Sequence, residues 1–482
     1  MIRWRAIGCV LGQLLVTLAG TMLIPLGWAV AGEGDVRPLA LATAITAGAG
    51  LALIVVFRGS ATDLSQREAV VLVVAAWLAL GGFGAIPFYL TPHFPTALDA
   101  VFESVSGFTT TGATVLADVE VLSRPVQLWR CFTHWLGGMG IVLLAIAVLP
   151  LVGHGGMHLY RAEFSGAKSE KLKPRIAETA ASLWKVYVAL SVAQFVALRF
   201  AGLGRFDSLC HTFATMGTGG FSTRTASVAA FDNLAVEIVI VVFMILGGCS
   251  FIQLYTLLAR GRPLSFLRDV EIRWYLGIAA VATLAIAGYL VGADGFAAGH
   301  AVRASAFQVV SIMTTTGFAT ENFELWHPFA QFVLLALMFV GGCTGSTAGG
   351  MKVARVATLV RVVDREFRRM VESRGVFAVR LGGRVVPEDA VQSLLNLVYL
   401  ALAVYFGGIL VLTASGVDLL TAISAVASCM FNVGPGLGHV GPAEHYGHLP
   451  AVAKATLTVC MIAGRLEFYT PLVIFTRAFW RR

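Results

Sequence analysis

Four times in this chain a short Thr- and Gly-rich stretch interrupts apolar sequence, at intervals close to one hundred residues. The stretches are Thr109-Thr110-Thr111-Gly112-Ala113, Gly217-Thr218-Gly219-Gly220-Phe221, Thr314-Thr315-Thr316-Gly317-Phe318 and Asn432-Val433-Gly434-Pro435-Gly436. With Gly112, Gly219, Gly317 and Gly434 taken as matching positions, the intervals are 107, 98 and 117 residues. A fixed period of this kind marks one supersecondary unit used repeatedly. Its loops are placed where apolar sequence leaves little water to satisfy a backbone.

The chain is 57% hydrophobic and 13% charged, with a mean hydropathy of +0.80. Soluble domains carry about a quarter charged residues, so this composition belongs in a bilayer. Runs of about 20 apolar residues cross the hydrocarbon core as helices. Ten qualify, near 8–30, 38–57, 69–90, 126–150, 182–203, 234–258, 274–293, 328–360, 391–414 and 451–476. The expected class is an all-α polytopic membrane protein with no separate soluble domain. The net charge of +8 follows the positive-inside rule rather than nucleic-acid binding. Basic residues gather at Arg3 and Arg5, Arg58 to Arg67, Arg161 to Lys185, Arg260 to Arg273, Arg355 to Arg384 and Arg481-Arg482. That places both termini in the cytoplasm. The first 31 residues imitate a signal peptide, but the apolar run exceeds a typical h-region and reads as a first span. The seven cysteines are isolated and show no metal or disulfide spacing.

After a two-span preface (1–62), each unit repeats one order: an outgoing span, a short segment of about a dozen residues, the polar loop and a returning span. The units are 63–160, 161–262, 263–375 and 376–482. The short segment cannot cross, so it re-enters from outside and stops halfway. Two full spans per unit give all four the same orientation, which sets their loops about one axis. Inverted-repeat carriers have odd span counts per unit.

A potassium ion sheds its water only where carbonyl oxygens replace it. A loop that turns successive carbonyls inward needs backbone angles that Gly tolerates. The expected ion-binding residues are Thr110, Thr111, Gly112, Ala113, Thr218, Gly219, Gly220, Thr315, Thr316, Gly317, Phe318, Asn432, Val433, Gly434 and Pro435. Potassium would be a transported ligand, with no cofactor. The short helices direct their partially negative C-termini at the cation. The fourth loop departs furthest, since Pro435 lacks a backbone donor.

A second repeated feature follows in the returning spans: Gly137-Gly138, Gly247-Gly248 and Gly341-Gly342. Small residues at such places usually mean close helix packing. In the third unit the run extends through Gly345, Ser346, Gly349 and Gly350 to Lys352 and reads as an unwound intramembrane loop just below the polar loops. The fourth unit carries Arg465 there, an ionisable mid-span residue expected either to repel a cation or to hold the loop through its carbonyls. A salt bridge to Glu467 is the plainer alternative. Asp99 and Asp207 read as helix caps, and Glu103, Asp118, Glu120, Glu321 and Glu444 as acidic residues of the outer mouth. No nucleophile–base pair, nucleotide loop or metal motif is present, so an enzyme is not expected.

Together the four loops, the Gly341–Gly350 run and mid-span Arg465 resemble the membrane subunit of Trk-type bacterial potassium uptake systems, in the Trk/Ktr/HKT superfamily. The resemblance spans the whole chain and implies four membrane–pore-loop–membrane repeats, a homodimer with one pore per protomer, and a cytosolic nucleotide-binding regulatory partner. It also implies the bacterial inner membrane, potassium selectivity from Gly at Gly112, and a gate at Gly341–Gly350 beside Arg465. Lys168–Arg175 and Arg361–Arg384 are then docking surfaces for the partner, with attraction to phospholipid as the alternative explanation of their charge. A proton- or sodium-coupled symporter is the alternative, for which Glu467 is the mid-span titratable group.

Overall fold

The protein is described by a computed structural model covering residues 2–58, 64–147, 175–261, 266–373 and 375–481. It is all-α apart from a two-stranded ribbon, β1 (Arg380–Leu381) against β2 (Arg384–Val385). The preface is a hairpin of α1 (Trp4–Trp28) and α2 (Arg37–Val56), which pack along their length. Gly12 and Gly50 face each other there, because a Cβ on either would crowd the other's carbonyl oxygen.

The first unit contains α3 (Gln66–Gly84), α4 (Ala97–Phe108) and α5 (Arg124–Ala147). The second contains α6 (Arg175–Phe200), α7 (Arg205–Met216), α8 (Leu234–Gly248) and α9 (Phe251–Arg260). The third contains α10 (Val270–Gly292), α11 (Ala298–Met313), α12 (Pro328–Val340) and α13 (Val353–Val371). The fourth contains α14 (Glu388–Ala414), α15 (Leu419–Met430), α16 (Ala451–Arg465) and the short α17 (Tyr469–Val473). The unit boundaries proposed at 62, 160 and 262 lie outside the described residues, as does the docking segment from Lys168 up to residue 174.

Six described helices are long and apolar enough to cross a membrane, and a seventh crossing results if α8 and α9 count as one broken span. The outgoing spans match expectation, whereas the returning spans of the last three units do not run through. The chain bends by 109° between α8 and α9. The expected span 328–360 stops at Val340, where Gly341 takes φ +78° and starts a non-helical loop. Its continuation α13 is arginine-rich rather than apolar. The span 451–476 stops at Arg465, where Glu467 and Phe468 both adopt positive φ. The breaks of the second and third units occur where the glycine runs stand, since Gly gains little from helix, whereas the fourth turns on Glu467 and Phe468.

Each short helix (α4, α7, α11, α15) packs against the outgoing and returning helices of its own unit and against the returning helix of the preceding unit, α4 closing onto α16. The four units therefore make a closed ring. Ten residues before Gly137, Gly247, Gly341 and Gly464 stand Gln127, Glu237, Gln331 and Lys454. Glu237 receives both Arg303 on α11 at 2.7 and 2.8 Å, and Lys454 pairs with Asp99 on α4 in a buried contact. The two glutamines instead bind carbonyls of the loops before their own helices, Gln127 that of Val119 and Gln331 those of Glu324 and Trp326. Asp99 is thus not the cap of α4; Thr96 is, accepting from the Asp99 amide.

Lys454→Met strands the Asp99 carboxylate in a dry interface and is expected to cost about 3–5 kcal/mol. Asp99→Asn added to Lys454→Met should return most of it. Thermal unfolding of the detergent-solubilised protein checks this; equal losses in single and double variants would sink the pairing account.

Candidate functional site

Each short helix ends in the same way. The residue two past its end is left-handed: Thr110 at φ +55°, Thr218 at +52°, Thr315 at +55° and Asn432 at +57°. The next amide then reaches back five residues. Thr111 donates to Ser106, Gly219 to Ala214, Thr316 to Ser311 and Val433 to Ser428, each at 2.8 Å. This is a Schellman closure with Thr or Asn where Gly is usual. A β-branched residue in that region is strained by about 1–3 kcal/mol, a cost seen mainly where function needs the geometry.

The following residue restores positive φ in all four: Gly112 at +81°, Gly220 at +80°, Gly317 at +79° and Gly434 at +104°. The matching glycine of the second loop is therefore Gly220 and not Gly219, a one-residue correction that sequence alone left hidden because two glycines stand in tandem. Gly219 instead matches Thr111, Thr316 and Val433. A Cβ on Gly112 would run into the carbonyl oxygen of Gly219 in the next unit. Likewise Gly220 faces the carbonyl of Thr316, Gly317 that of Val433, and Gly434 that of Thr111. The ring of loops closes on itself, and glycine is required twice over, by dihedral and by its neighbour's carbonyl. All four glycines, with Ala113 and Pro435, line a vestibule of about 80 Å³.

The loops are not equivalent. The Gly434 carbonyl accepts from Ser428 Oγ at 2.7 Å and Tyr446 Oη at 2.8 Å. Asn432 donates to Thr111 Oγ1 at 2.9 Å, tying the fourth loop to the first. Phe318 accepts through its carbonyl from Ser311 Oγ at 2.6 Å. On the outer side Glu103 is fully buried rather than exposed at the mouth. It accepts from Arg130 Nε at 2.6 Å, the Val115 amide at 3.0 Å and Thr114 Oγ1 at 2.9 Å. Arg130 in turn donates to the Ser222 carbonyl and lies 3.5 Å over the Phe221 ring. Asp207 accepts from Thr223 Oγ1 at 2.6 Å instead of capping α7, whose N-cap is Gly204. Asp118, fully solvated, is held below the usual carboxylate range by the Thr225 hydroxyl and the Glu120 amide, whereas burial raises Glu324.

Beneath the ring lies the loop from Gly341 to Lys352. The Gly349 amide donates to Thr315 Oγ1 at 2.6 Å, and the Gly350 amide to the Phe431 carbonyl at 3.2 Å. Thr347 Oγ1 donates to the carbonyls of Met216 and Gly247 at 3.0 and 3.1 Å. Cys343 and Gly345 bond Gly248 and Phe251. Ser346 and Lys352 fold back on the loop's own carbonyls at Cys343 and Ala348. The loop is thus stitched to units two, three and four at the C-terminal ends of the short helices. Arg465 is buried and donates to the Thr347 carbonyl at 2.9 Å and the Gly137 carbonyl at 3.3 Å, reaching the first unit as well. Of the expected roles, anchoring by carbonyls is the one observed; Glu467 pairs with Arg355 at 2.8 Å instead. Gly137 and Gly464 allow close packing, since a Cβ on either would strike the last carbonyls of α4 and α15.

Residues the sequence reading missed include Glu271, Thr347 and the charged pairs. Glu271 at the start of α10 accepts from the amides of Thr344 at 2.6 Å and Ala354 at 3.3 Å, holding both limbs of the loop. The four polar residues ten positions before each returning-span glycine were the available sign.

A ring of loops enclosed by long apolar helices fits a multi-pass membrane protein. The profile of the TrkH family, described as cation transport protein, matches residues 39–481. The chain is 39% identical to the Trk system potassium uptake protein TrkH of Escherichia coli K12 over 487 residues, covering 99% of each. It is 38% identical to TrkH of Halomonas elongata over 480 residues, covering 99% of this chain and 98% of that one. The crystal structure of the potassium transporter TrkH from Vibrio parahaemolyticus superposes with a TM-score of 0.91 at 37% identity, over 99% of this chain and all of that one. The chain belongs to the TrkH family of cation transport proteins.

Thr347→Val removes two hydroxyl bonds beneath the ring. It should speed hydrogen exchange at the Gly349 and Gly350 amides by about tenfold, as one to two lost hydrogen bonds imply. Unchanged exchange there would mean the loop is held without Thr347.

Proposed function

We propose that this chain carries potassium selectively across the bacterial inner membrane, inward, through the axis enclosed by its four loops. The observation that carries this reading is the closed ring in which the carbonyls of Thr111, Gly219, Thr316 and Val433 each sit against the glycine of an adjoining unit. Carbonyl dipoles in such a ring replace a cation's hydration shell. The relatives named as potassium uptake proteins support the choice of ion. An inside-negative potential supplies about 2.3 kcal/mol per unit charge per 100 mV, enough to concentrate the ion without a second gradient.

The ion-binding set is Thr110, Thr111, Gly112, Ala113, Thr218, Gly219, Gly220, Thr315, Thr316, Gly317, Phe318, Asn432, Val433, Gly434 and Pro435. The bonded Gly434 carbonyl makes the fourth loop the weakest contributor. The gate is the loop Gly341–Gly350 with Lys352 and Arg465. Its hydrogen bonds to the short-helix ends keep it across the axis, and the Arg465 charge both holds it and opposes a cation. A cytosolic regulatory partner would act on the loop through α13, which follows it directly, and the assembly would be a homodimer. A proton-coupled route would need a free mid-span carboxylate, and Glu467 is engaged with Arg355.

The test is potassium and sodium flux in proteoliposomes containing this chain alone, with and without an imposed proton gradient. Potassium flux should follow its own electrochemical gradient; uphill flux driven only by protons or sodium would overturn the reading. Gly112→Ser, which forces a side chain onto the Gly219 carbonyl, should lower potassium-over-sodium preference by at least about tenfold (roughly 1.4 kcal/mol of discrimination). Arg465→Ala should raise basal cation flux, and unchanged flux would remove Arg465 from the gate.

A further inference from the structure

One face of the third unit is built for something that the axial pathway does not use. A groove of about 1030 Å³ runs between α10, α12, α13 and the β1–β2 turn. Its long wall is apolar, including Trp274, Val281 and Val333, and Val281 is 69% exposed. At one end Arg268, Arg273 and Arg361 converge from two helices and the loop before α10. All three are exposed, and none has an ion-pair partner among the described residues. The nearby acids are committed elsewhere: Asp269 caps α10 by accepting from the amides of Glu271 and Ile272, Glu271 holds the loop amides, and Asp364 pairs with Arg368.

We infer that this groove is a binding site for a diacyl anionic phospholipid of the surrounding bilayer. The three guanidiniums match a phosphodiester headgroup, which they can bind by forked hydrogen bonds. The apolar wall receives the acyl chains, and Trp274 sits at the step between the two as interfacial tryptophans do. Basic pockets between membrane helices on the cytoplasmic side are a recurring setting for such headgroups. The arginine end lies opposite the loop vestibule, on the face the charge distribution makes cytoplasmic. A water-soluble anion would explain the arginines but not the apolar trough that continues from them. The inference does not depend on which ion crosses the axis. A bound lipid would also bridge α10, which carries Glu271, to α13, which leaves the gate loop at Lys352.

Native mass spectrometry of the full-length protein tests the site, with dioleoylphosphatidylglycerol and dioleoylphosphatidylcholine as probes. The wild type should retain the phosphatidylglycerol at least about tenfold better, each arginine being worth about fivefold near a lipid surface. R268Q/R273Q/R361Q should lose that preference by at least about tenfold, R268K/R273K/R361K should fall between it and the wild type because charge remains without the fork, and R5Q should not change it. In nanodiscs with brominated phosphatidylglycerol, W274F should remove the quenching increment that the wild type shows. Equal retention of both lipids, or full retention in the glutamine variant, overturns the site. So does efficient disulfide crosslinking between Val281→Cys copies, which would show a second protomer filling the groove.

Discussion

Backbone that leaves the helix inside a bilayer must find every hydrogen-bond partner within the protein. This chain does so at four short-helix ends and in one long glycine loop, partly within each unit and partly through neighbouring units. The Schellman closures satisfy the helix ends locally. The glycines let adjoining loops approach until one unit's carbonyl fills the space where another's Cβ would be. The Gly341–Lys352 loop then uses carbonyls left over at Met216 and Phe431.

That dependence explains what was legible in the sequence. Period, outgoing spans and short helices were readable because they rest on local composition: α4, α7 and α15 each run for the expected dozen residues. The positions of the polar loops were readable for the same reason. Their register was not, because Gly219-Gly220 offers two glycines and only the neighbouring carbonyl of Thr316 decides which is pinned. The broken returning spans were half-legible. Gly341 to Gly350 announced a loop, but Gly247-Gly248 looks the same whether helices pack there or a helix stops, and the stop depends on Cys343 donating to Gly248.

Charged residues were the least legible, since their meaning lies in partners far along the chain. Glu103 lies 27 residues from Arg130 and yet both are buried as a pair in the first unit. Among the described residues Arg465 has no acidic partner and instead spans carbonyls 118 and 328 residues away. A cation held by carbonyl oxygens alone costs much to bury. The same reasoning separates it from Arg130, whose charge is neutralised by Glu103.

Two ion pairs join a short helix to the preceding unit's returning helix through the matching positions Lys454 and Glu237, and their polarity is opposite: the short helix supplies the acid in Asp99–Lys454 and the base in Arg303–Glu237. Four similar units threaded into a membrane could in principle neighbour one another in more than one cyclic order. Seating the first short helix against the second returning helix would press Asp99 onto Glu237, and the third against the fourth would press Arg303 onto Lys454. Like charges buried together are strongly disfavoured. The polarity swap therefore works as a key that fixes the order of units around the axis, which the near-identical loops themselves could not do.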